Sequence, residues 1–292
     1  MKVSTKVALA SAAGLILAGA VMCAIGFGMG GWAAALEITD NSPYMDLRNG
    51  LAVGYDSLGN MSKEGDYTLS FKSEYISNLD FEVGASDVKI VDNTTDNNIN
   101  VTIKNASYAS DDTSRSLQLR IKGNVNGKSD VTIAIPKGKD FDSVKLEMGA
   151  TDMEIDSLIC SNLKVSAGAG DVTIGDLLSS NYTELKVAAG SLTIKNAKLK
   201  DLNLECGAGD VHFTGVIEDD LDAECGMGNI TLELIDKSEN HQLDLEAAMG
   251  NITFNGESKS GFVNEIEEGS EMESEYEIEC GMGNIDITFT ED

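Results

Sequence analysis

The chain has 292 residues, of which 42% are hydrophobic, so it is long enough to build a sizeable core in one or two domains. Aromatic residues make up only 5% and Gly contributes 30 residues, so any core must consist mainly of small aliphatic side chains. The formal net charge of −28 disfavours nucleic acids and anionic lipid headgroups as partners. It suits a solvated surface, cations or basic partners.

The first predicted element is a membrane anchor at residues 7–36, which contain no charged residue. A helix of this length spans about 45 Å, more than the hydrocarbon core of a bilayer requires. Lys2 and Lys6 precede the stretch and Glu37 follows it, so the positive-inside rule leaves residues 1–6 in the cytoplasm. We therefore predict a single-pass protein of the cell membrane with its C-terminal domain outside the cell.

Two other interpretations of the N-terminus are weaker. Ala33–Ala35 keeps cleavage of a signal peptide open, but the apolar run is longer than such peptides need. Cys23 lacks the small preceding residue expected at a lipidation site, and apolar sequence continues beyond it. Residues 37–66 contain Pro43 and several Gly, Asn and Asp, a composition that predicts a linker between the anchor and the exported domain.

Residues 67–292 are predicted to form the exported domain, and one pattern recurs within them. Apolar residues alternate with polar ones on both sides of a motif that ends in Asp or Asn. From Asp152 onward this marker recurs every 19 to 22 residues, which is typical of stacked repeats. The eight repeat units are Leu79–Ile90, Val144–Ile155, Leu163–Ile174, Leu185–Ile194, Leu202–Phe213, Leu221–Leu232, Leu243–Phe254 and Tyr276–Ile287.

Each unit is predicted to contain two short strands joined at a glycine corner, since period-two alternation indicates strands. Glycine allows a positive φ at the bend, and the Asp or Asn is expected to hydrogen-bond its own backbone. The unit around Ser191 is two residues shorter, which predicts a tighter corner. The predicted corner residues are Gly168, Gly170, Asp171, Gly207, Gly209, Asp210, Gly226, Gly228, Asn229, Gly250, Asn251, Gly281, Gly283 and Asn284.

The predicted fold class is therefore all-β, a β-solenoid of the parallel β-helix type with coils of about 20 residues. Consecutive units are expected to stack in chain order, with equivalent residues about 4.8 Å apart. Residues 256–277 are acidic and lack clean periodicity, so we predict an inserted, projecting loop. Residues 97–136 depart from the repeat, but three alternating segments within them predict strands joined by longer loops.

Three cysteines, Cys206, Cys225 and Cys280, occupy the same inward position of their units. We interpret them as small core residues, because free cysteine behaves as a small hydrophobe. Other units are expected to place Ala167, Ala189 and Ala247 at this position. A disulfide between Cys206 and Cys225 remains open, and the absence of a C-x-x-C or Cys/His cluster argues against a zinc site.

Glutamates at an outward position of successive units form a predicted stripe of Glu205, Glu224 and Glu246. The first interpretation is a solvated, charged face. The second is a cation-binding stripe, because stacked carboxylates repel one another and would gain from a bound cation. Catalytic residues and cofactors are not predicted, since the chain holds only His212 and His241 as histidines and no cofactor motif.

The chain resembles the bacterial adhesin-like, or toast-rack, family of β-strand-repeat proteins. The resemblance lies in the anchor at residues 7–36, in "IAIPKGKDFDSVKLEMGATDMEI" at Ile133–Ile155, and in repeated corners such as "GAGDVTI" and "GMGNI". It implies a β-solenoid outside the membrane of a bacterium. It also implies that the family has no catalytic motif to transfer, and that some members accompany envelope-stress systems.

Three functions follow as hypotheses. The first is a non-enzymatic surface domain that binds an envelope or host-surface ligand, or has a structural role in the envelope. The second is an envelope-stress accessory protein that contacts a membrane signalling partner. The third and most remote is an enzyme acting on polysaccharides, for which the sequence offers no catalytic constellation.

Overall fold

The computed structural model describes residues 61–112, 115–123, 128–268 and 274–290. The predicted cytoplasmic segment, the anchor at 7–36 and most of the predicted linker lie outside these residues. Within the described part of the chain, no helix has the length and apolar character needed to cross a membrane.

The fold is all-β, as predicted. The described residues include two short 3-10 turns, at Ser73–Tyr75 and Ser238–Asn240, and no α-helix. All strands belong to one hydrogen-bonded network of 17 strands. They are β1 (Gly65–Lys72), β2 (Asn78–Val83), β3 (Asp87–Asn93), β4 (Asn98–Asp111), β5 (Ser116–Gly123), β6 (Asp130–Pro136), β7 (Asp140–Ala150), β8 (Met153–Ala169), β9 (Val172–Ala189), β10 (Leu192–Ala208), β11 (Val211–Ile217), β12 (Leu221–Met227), β13 (Ile230–Ile235), β14 (Gln242–Phe254), β15 (Glu257–Glu268), β16 (Glu275–Met282) and β17 (Ile285–Thr290).

Equivalent residues of the repeat units pair side by side. Leu204, for example, pairs in parallel register with Leu185 on one side and Ala223 on the other. We call the strand residues before and after one corner a layer. The layers stack in parallel, and before the corner their strands follow the order β5, β2, β7, β8, β9, β10, β12, β16 and β14.

The last layers do not stack in chain order, which differs from the sequence prediction. Strand β16 pairs with β12 through Cys225 and Cys280, and with β14 through Cys280 and Ala247. Strand β17 likewise pairs with both β13 and β14. We name these layers after Cys225, Cys280 and Ala247. The eighth unit of the sequence therefore lies between the sixth and the seventh.

Antiparallel strands cover both ends of the stack. At one end β4 pairs antiparallel with β5 and β6, and β1 pairs antiparallel with β4. At the other end β15 pairs antiparallel with β14. The prediction of a projecting loop over 256–277 is therefore wrong for Glu257–Glu268, which forms this end strand. A covering strand matters because an open edge of a sheet pairs readily with other chains.

The interior is filled by columns of inward-facing side chains, one from each layer. In the fifth unit Leu202, Leu204, Cys206, Val211 and Phe213 are all at most 2% exposed. The alternation in the sequence places them there, because successive residues of a strand face opposite sides. Burial of each large apolar side chain contributes about 1.5–3 kcal/mol relative to exposure, so the stacked columns dominate the stability of the fold.

The corner of the short unit is not tighter than the others, so that prediction is wrong. Ala189 pairs with Ala169 and Ala208, and Gly190 has a φ of +135°, within the range of the other corners. This register brings Val187, rather than Ala189, to the column of Cys206. No residues are missing from this unit, because it begins at Thr183, which pairs with Leu163 and Leu202 at the start of the neighbouring units.

Candidate functional site

The corners require glycine at their second position. Gly170, Gly209, Gly228 and Gly283 have φ values of +121°, +146°, +139° and +147°. A Cβ on Gly228 would lie 1.9 Å from the carbonyl oxygen of Gly209 in the neighbouring layer.

The remaining predicted corner glycines lie in strands. Their φ values lie outside the positive range, in contrast to those of Gly170, Gly209, Gly228 and Gly283. Gly250 and Asn251 lie within the continuous strand β14, so the chain there runs through the corner as strand. In the other units, the first glycine of the corner is the second-last residue of the strand before the corner. These glycines are Gly168, Gly207, Gly226 and Gly281.

The Asp and Asn side chains of the corners bind the next layer and not their own turn, which corrects the prediction. Asp210 Oδ1 accepts a hydrogen bond from the backbone N–H of Asn229 at 2.9 Å. Asn229 Oδ1 in turn accepts one from the N–H of Asn284 at 3.1 Å, and Asn284 Oδ1 one from the N–H of Asn251 at 3.1 Å. These bonds tie neighbouring layers together, so the corner motif has a structural role.

The stacked cysteines carry free thiols and are buried. Cys206 and Cys225 lie side by side, and Cys280 follows Cys225. The neighbouring Cys225 thiol and burial both raise the pKa of Cys206, which keeps its thiol protonated and unreactive. The structure thus has these residues as small side chains of the core.

An acidic face covers the outer side of the last three parallel layers. Two adjacent rows of side chains form it, and equivalent residues pair across neighbouring strands. Strands of one sheet lie about 4.8 Å apart, so each carboxylate of these layers has another carboxylate beside it in its row. We define the acidic face as Asp222, Glu224, Glu277, Glu279, Asp244 and Glu246.

The same two rows carry lysines in the earlier layers. Lys164 Nζ lies 2.8 Å from Glu184 Oε2, and Lys186 Nζ lies 2.9 Å from Glu184 Oε1. Lys186 Nζ also lies 2.6 Å from Glu205 Oε1. Lysines therefore form ion pairs with acidic residues of the rows as far as Glu205, and acidic residues occupy the positions beyond it.

The predicted stripe of Glu205, Glu224 and Glu246 is only partly assembled as expected. Glu205 and Glu224 pair directly, but Glu279 lies between Glu224 and Glu246. The sequence could not reveal this neighbour, because the insertion of β16 brings it there. Glu205 contacts Lys186, so it belongs to the part of the rows that contains lysines.

Burial and repulsion favour the neutral form of the central carboxylates. Partial burial, then the charges of Glu246, Glu277 and Glu224, raise the pKa of Glu279 from 4.5 to about 7. Partial burial, with Asp222 as the next cause, also raises the pKa of Glu224. Glu279 therefore holds a proton to higher pH than an ordinary glutamate does. Within the described ranges, no group of three or more His, Cys, Asp and Glu side chains is arranged to hold a metal ion.

A second polar cluster surrounds His241, which is 2% exposed. Its Nδ1 lies 2.8 Å from Ser274 Oγ, its Nε2 lies 3.2 Å from Asp236 Oδ2, and its ring stacks on Tyr276 at 4.1 Å. Ser274 Oγ also donates to the carbonyl oxygen of Asp219. Ser274 and Asp236 carried no signal in the sequence, since they lie outside the repeat and meet only through the insertion of β16.

Comparison with known proteins gives a family and several similar folds. A family model described as Toastrack DUF4097 matches residues 76–275. A solved structure described as a "putative cell adhesion protein" from Clostridium sporogenes is 17% identical, with a TM-score of 0.34 over 78% of this chain and 100% of that one.

Two further structures are described as "putative adhesin". The one from Parabacteroides distasonis is 12% identical, with a TM-score of 0.36, and the one from Bacteroides fragilis is 15% identical, with a TM-score of 0.34. Each match covers 77% of this chain and 98% of the other. No curated protein matches the chain.

Proposed function

Because the chain belongs to the Toastrack DUF4097 family, we propose that residues 67–292 form a non-enzymatic, adhesin-like binding domain at the bacterial cell surface. Its architecture is a β-solenoid, in which the parallel layers are successive coils. The in-register pairing of equivalent residues from β2 to β17 supports this architecture. A stack of this kind holds its outer rows of side chains in fixed positions, which suits recognition of an extended ligand.

In this proposal the acidic face is the binding surface. The proposal rests on the concentration of carboxylates in this face. Its six carboxylates repel one another, while the earlier layers neutralise the same rows with Lys164 and Lys186. A cationic partner would relieve the repulsion and would be attracted over several ångströms. The ligand class is therefore a basic polymer or peptide of the envelope or of a host surface.

The proposal is tested by binding of a ten-residue oligolysine to the full chain. Neutralising two positions with Glu224→Gln and Asp244→Asn is expected to weaken binding about fivefold, equivalent to ~1 kcal/mol for lost charge pairs at a surface. Binding should also weaken as salt increases. The measurement is the dissociation constant by isothermal titration calorimetry at two salt concentrations.

A matched control removes the same charge elsewhere. The control variant combines Asp130→Asn on β6 with Asp156→Asn on β8, at positions that follow a corner. This variant should change the dissociation constant less than twofold. Equal losses in both variants would mean that oligolysine responds to net charge alone, and the acidic face would then not be a binding surface.

We also propose that residues 7–36 anchor the chain in the membrane with residues 1–6 in the cytoplasm, since Lys2 and Lys6 precede the apolar stretch. Protease added to intact, wall-stripped cells is expected to digest the domain after the anchor. Full protection of that domain would contradict its export. A mature protein that starts near Glu37 would contradict an uncleaved anchor.

A further inference from the structure

The strands β16 and β17 occupy a slot between strands that precede them in the chain. On one side they pair with β12 and β13, and on the other with β14. Both walls of the slot therefore precede, in the chain, the layer that fills it.

One wall of the slot and the filling layer share the same sequence motif. "ECGMGNI" occurs at residues 224–230 in one wall and again at residues 279–285 in the filling layer. Every pairing of β16 joins equivalent residues, such as Cys225 with Cys280 and Met227 with Met282. Nothing in this recognition depends on which copy of the chain supplies the filling layer.

We propose that β16 and β17 are an exchangeable element, and that these strands of one copy can fill the same slot in a second copy. Two chains would then be linked by these exchanged layers. Exchange of an identical element is an accessible route to dimers, because each contact of the monomer forms again in the dimer. The partner surface is thus the slot of another copy of this chain.

A set of contacts at the start of β16 holds the layer in place, and we call it the clasp. Ser274 Oγ contacts His241 Nδ1 at 2.8 Å and the carbonyl oxygen of Asp219. The N–H of Glu275 donates to Asp220 Oδ1 at 3.0 Å, and Tyr276 Oη donates to the carbonyl oxygen of Ile217 at 2.7 Å. The clasp reaches both walls of the slot, so it must open before the layer can leave.

Repulsion between carboxylates opposes the clasp, because it destabilises the inserted layer. The inserted layer places Glu279 between Glu224 and Glu246, which adds a carboxylate to two like charges. Departure of β16 relieves this repulsion, and protonation of the carboxylates reduces it. Exchange is therefore expected to be faster above pH 8 than at pH 6.

Mixing two variants of the full chain in detergent micelles, each with one cysteine introduced beside its native cysteines, tests the proposal. Asp222 and Glu277 are exposed and pair across β12 and β16, so Asp222→Cys in one copy meets Glu277→Cys of another copy only after exchange. A short bis-maleimide is expected to link them into a heterodimer that increases with concentration and time. Ser274→Ala in both copies should speed its appearance about fivefold, the effect of losing a hydrogen bond of ~1 kcal/mol.

A matched pair of variants gives the control. Asp176 and Asn196 pair across β9 and β10 in the middle of the stack, where no layer can leave alone. Asp176→Cys mixed with Asn196→Cys should give no heterodimer, while both double variants should crosslink within one chain. The proposal is overturned if the two mixtures give equal heterodimer, or none, while the double variants crosslink.

Discussion

Replacing Gly228 with alanine is expected to lower the free energy of unfolding by ~3 kcal/mol or more, because two costs coincide at this corner. Gly228 has a φ of +139°, a conformation that a residue with a Cβ rarely adopts. The added Cβ would also lie 1.9 Å from the carbonyl oxygen of Gly209, which belongs to the backbone of the next layer. Urea unfolding followed by circular dichroism measures the change.

Gly138→Ala separates the two costs. Gly138 also has a positive φ, +75°, but a Cβ there would meet nothing within 4 Å. We expect this variant to lose only ~1 kcal/mol, the cost of the left-handed backbone alone. If Gly228→Ala loses no more than Gly138→Ala, the corners of neighbouring layers are not in the close contact described above.

Glu279→Gln is expected to stabilise the protein at pH 8 by ~1–3 kcal/mol, after allowance for the partial exposure of this side chain. Glu279 has a pKa of about 7 in the folded protein, against 4.5 as its ordinary value. Between these values the folded state binds more protons than the unfolded state, so stability falls as the pH rises. The parent chain should therefore lose stability from about pH 4.5 up to pH 7, and the variant should lose less.

The measurement is the free energy of unfolding of both proteins at pH 5 and pH 8. Their difference should be small at pH 5 and largest at pH 8. Glu239→Gln removes one exposed carboxylate outside the acidic face and controls for net charge. A gain for Glu279→Gln that is equal at both pH values, or matched by Glu239→Gln, would show that Glu279 has no special repulsion to relieve.

The sequence predicted the local structure well because that structure depends on near neighbours. Alternation at Leu202 and Leu204 placed both side chains in the core, where they are 2% and 0% exposed. The glycine pattern marked the corners, although the required glycine proved to be the second one, as at Gly209. A pattern of glycines cannot separate a left-handed position from a buried strand position, since glycine suits both.

The order of the last layers could not be predicted for a different reason. The units that contain Cys225, Ala247 and Cys280 share one pattern, so each fits beside either of the others. Chain order suggested that the layer of Ala247 lies beside the layer of Cys225. Instead, β15 runs antiparallel along β14, and β16 lies between β12 and β14. The cluster of His241 with Ser274 was hidden for the same reason, because its members meet only in that order.

The order of these layers is the central claim, since the acidic face, the raised pKa of Glu279 and the exchange of β16 all depend on it. Two double variants of the full chain test it by oxidation to a disulfide within one chain. Asp222→Cys with Glu277→Cys joins neighbouring strands and should form the disulfide readily, whereas Asp222→Cys with Asp244→Cys spans two strand spacings, about 10 Å, and should not. A disulfide in the second variant and none in the first would contradict the account.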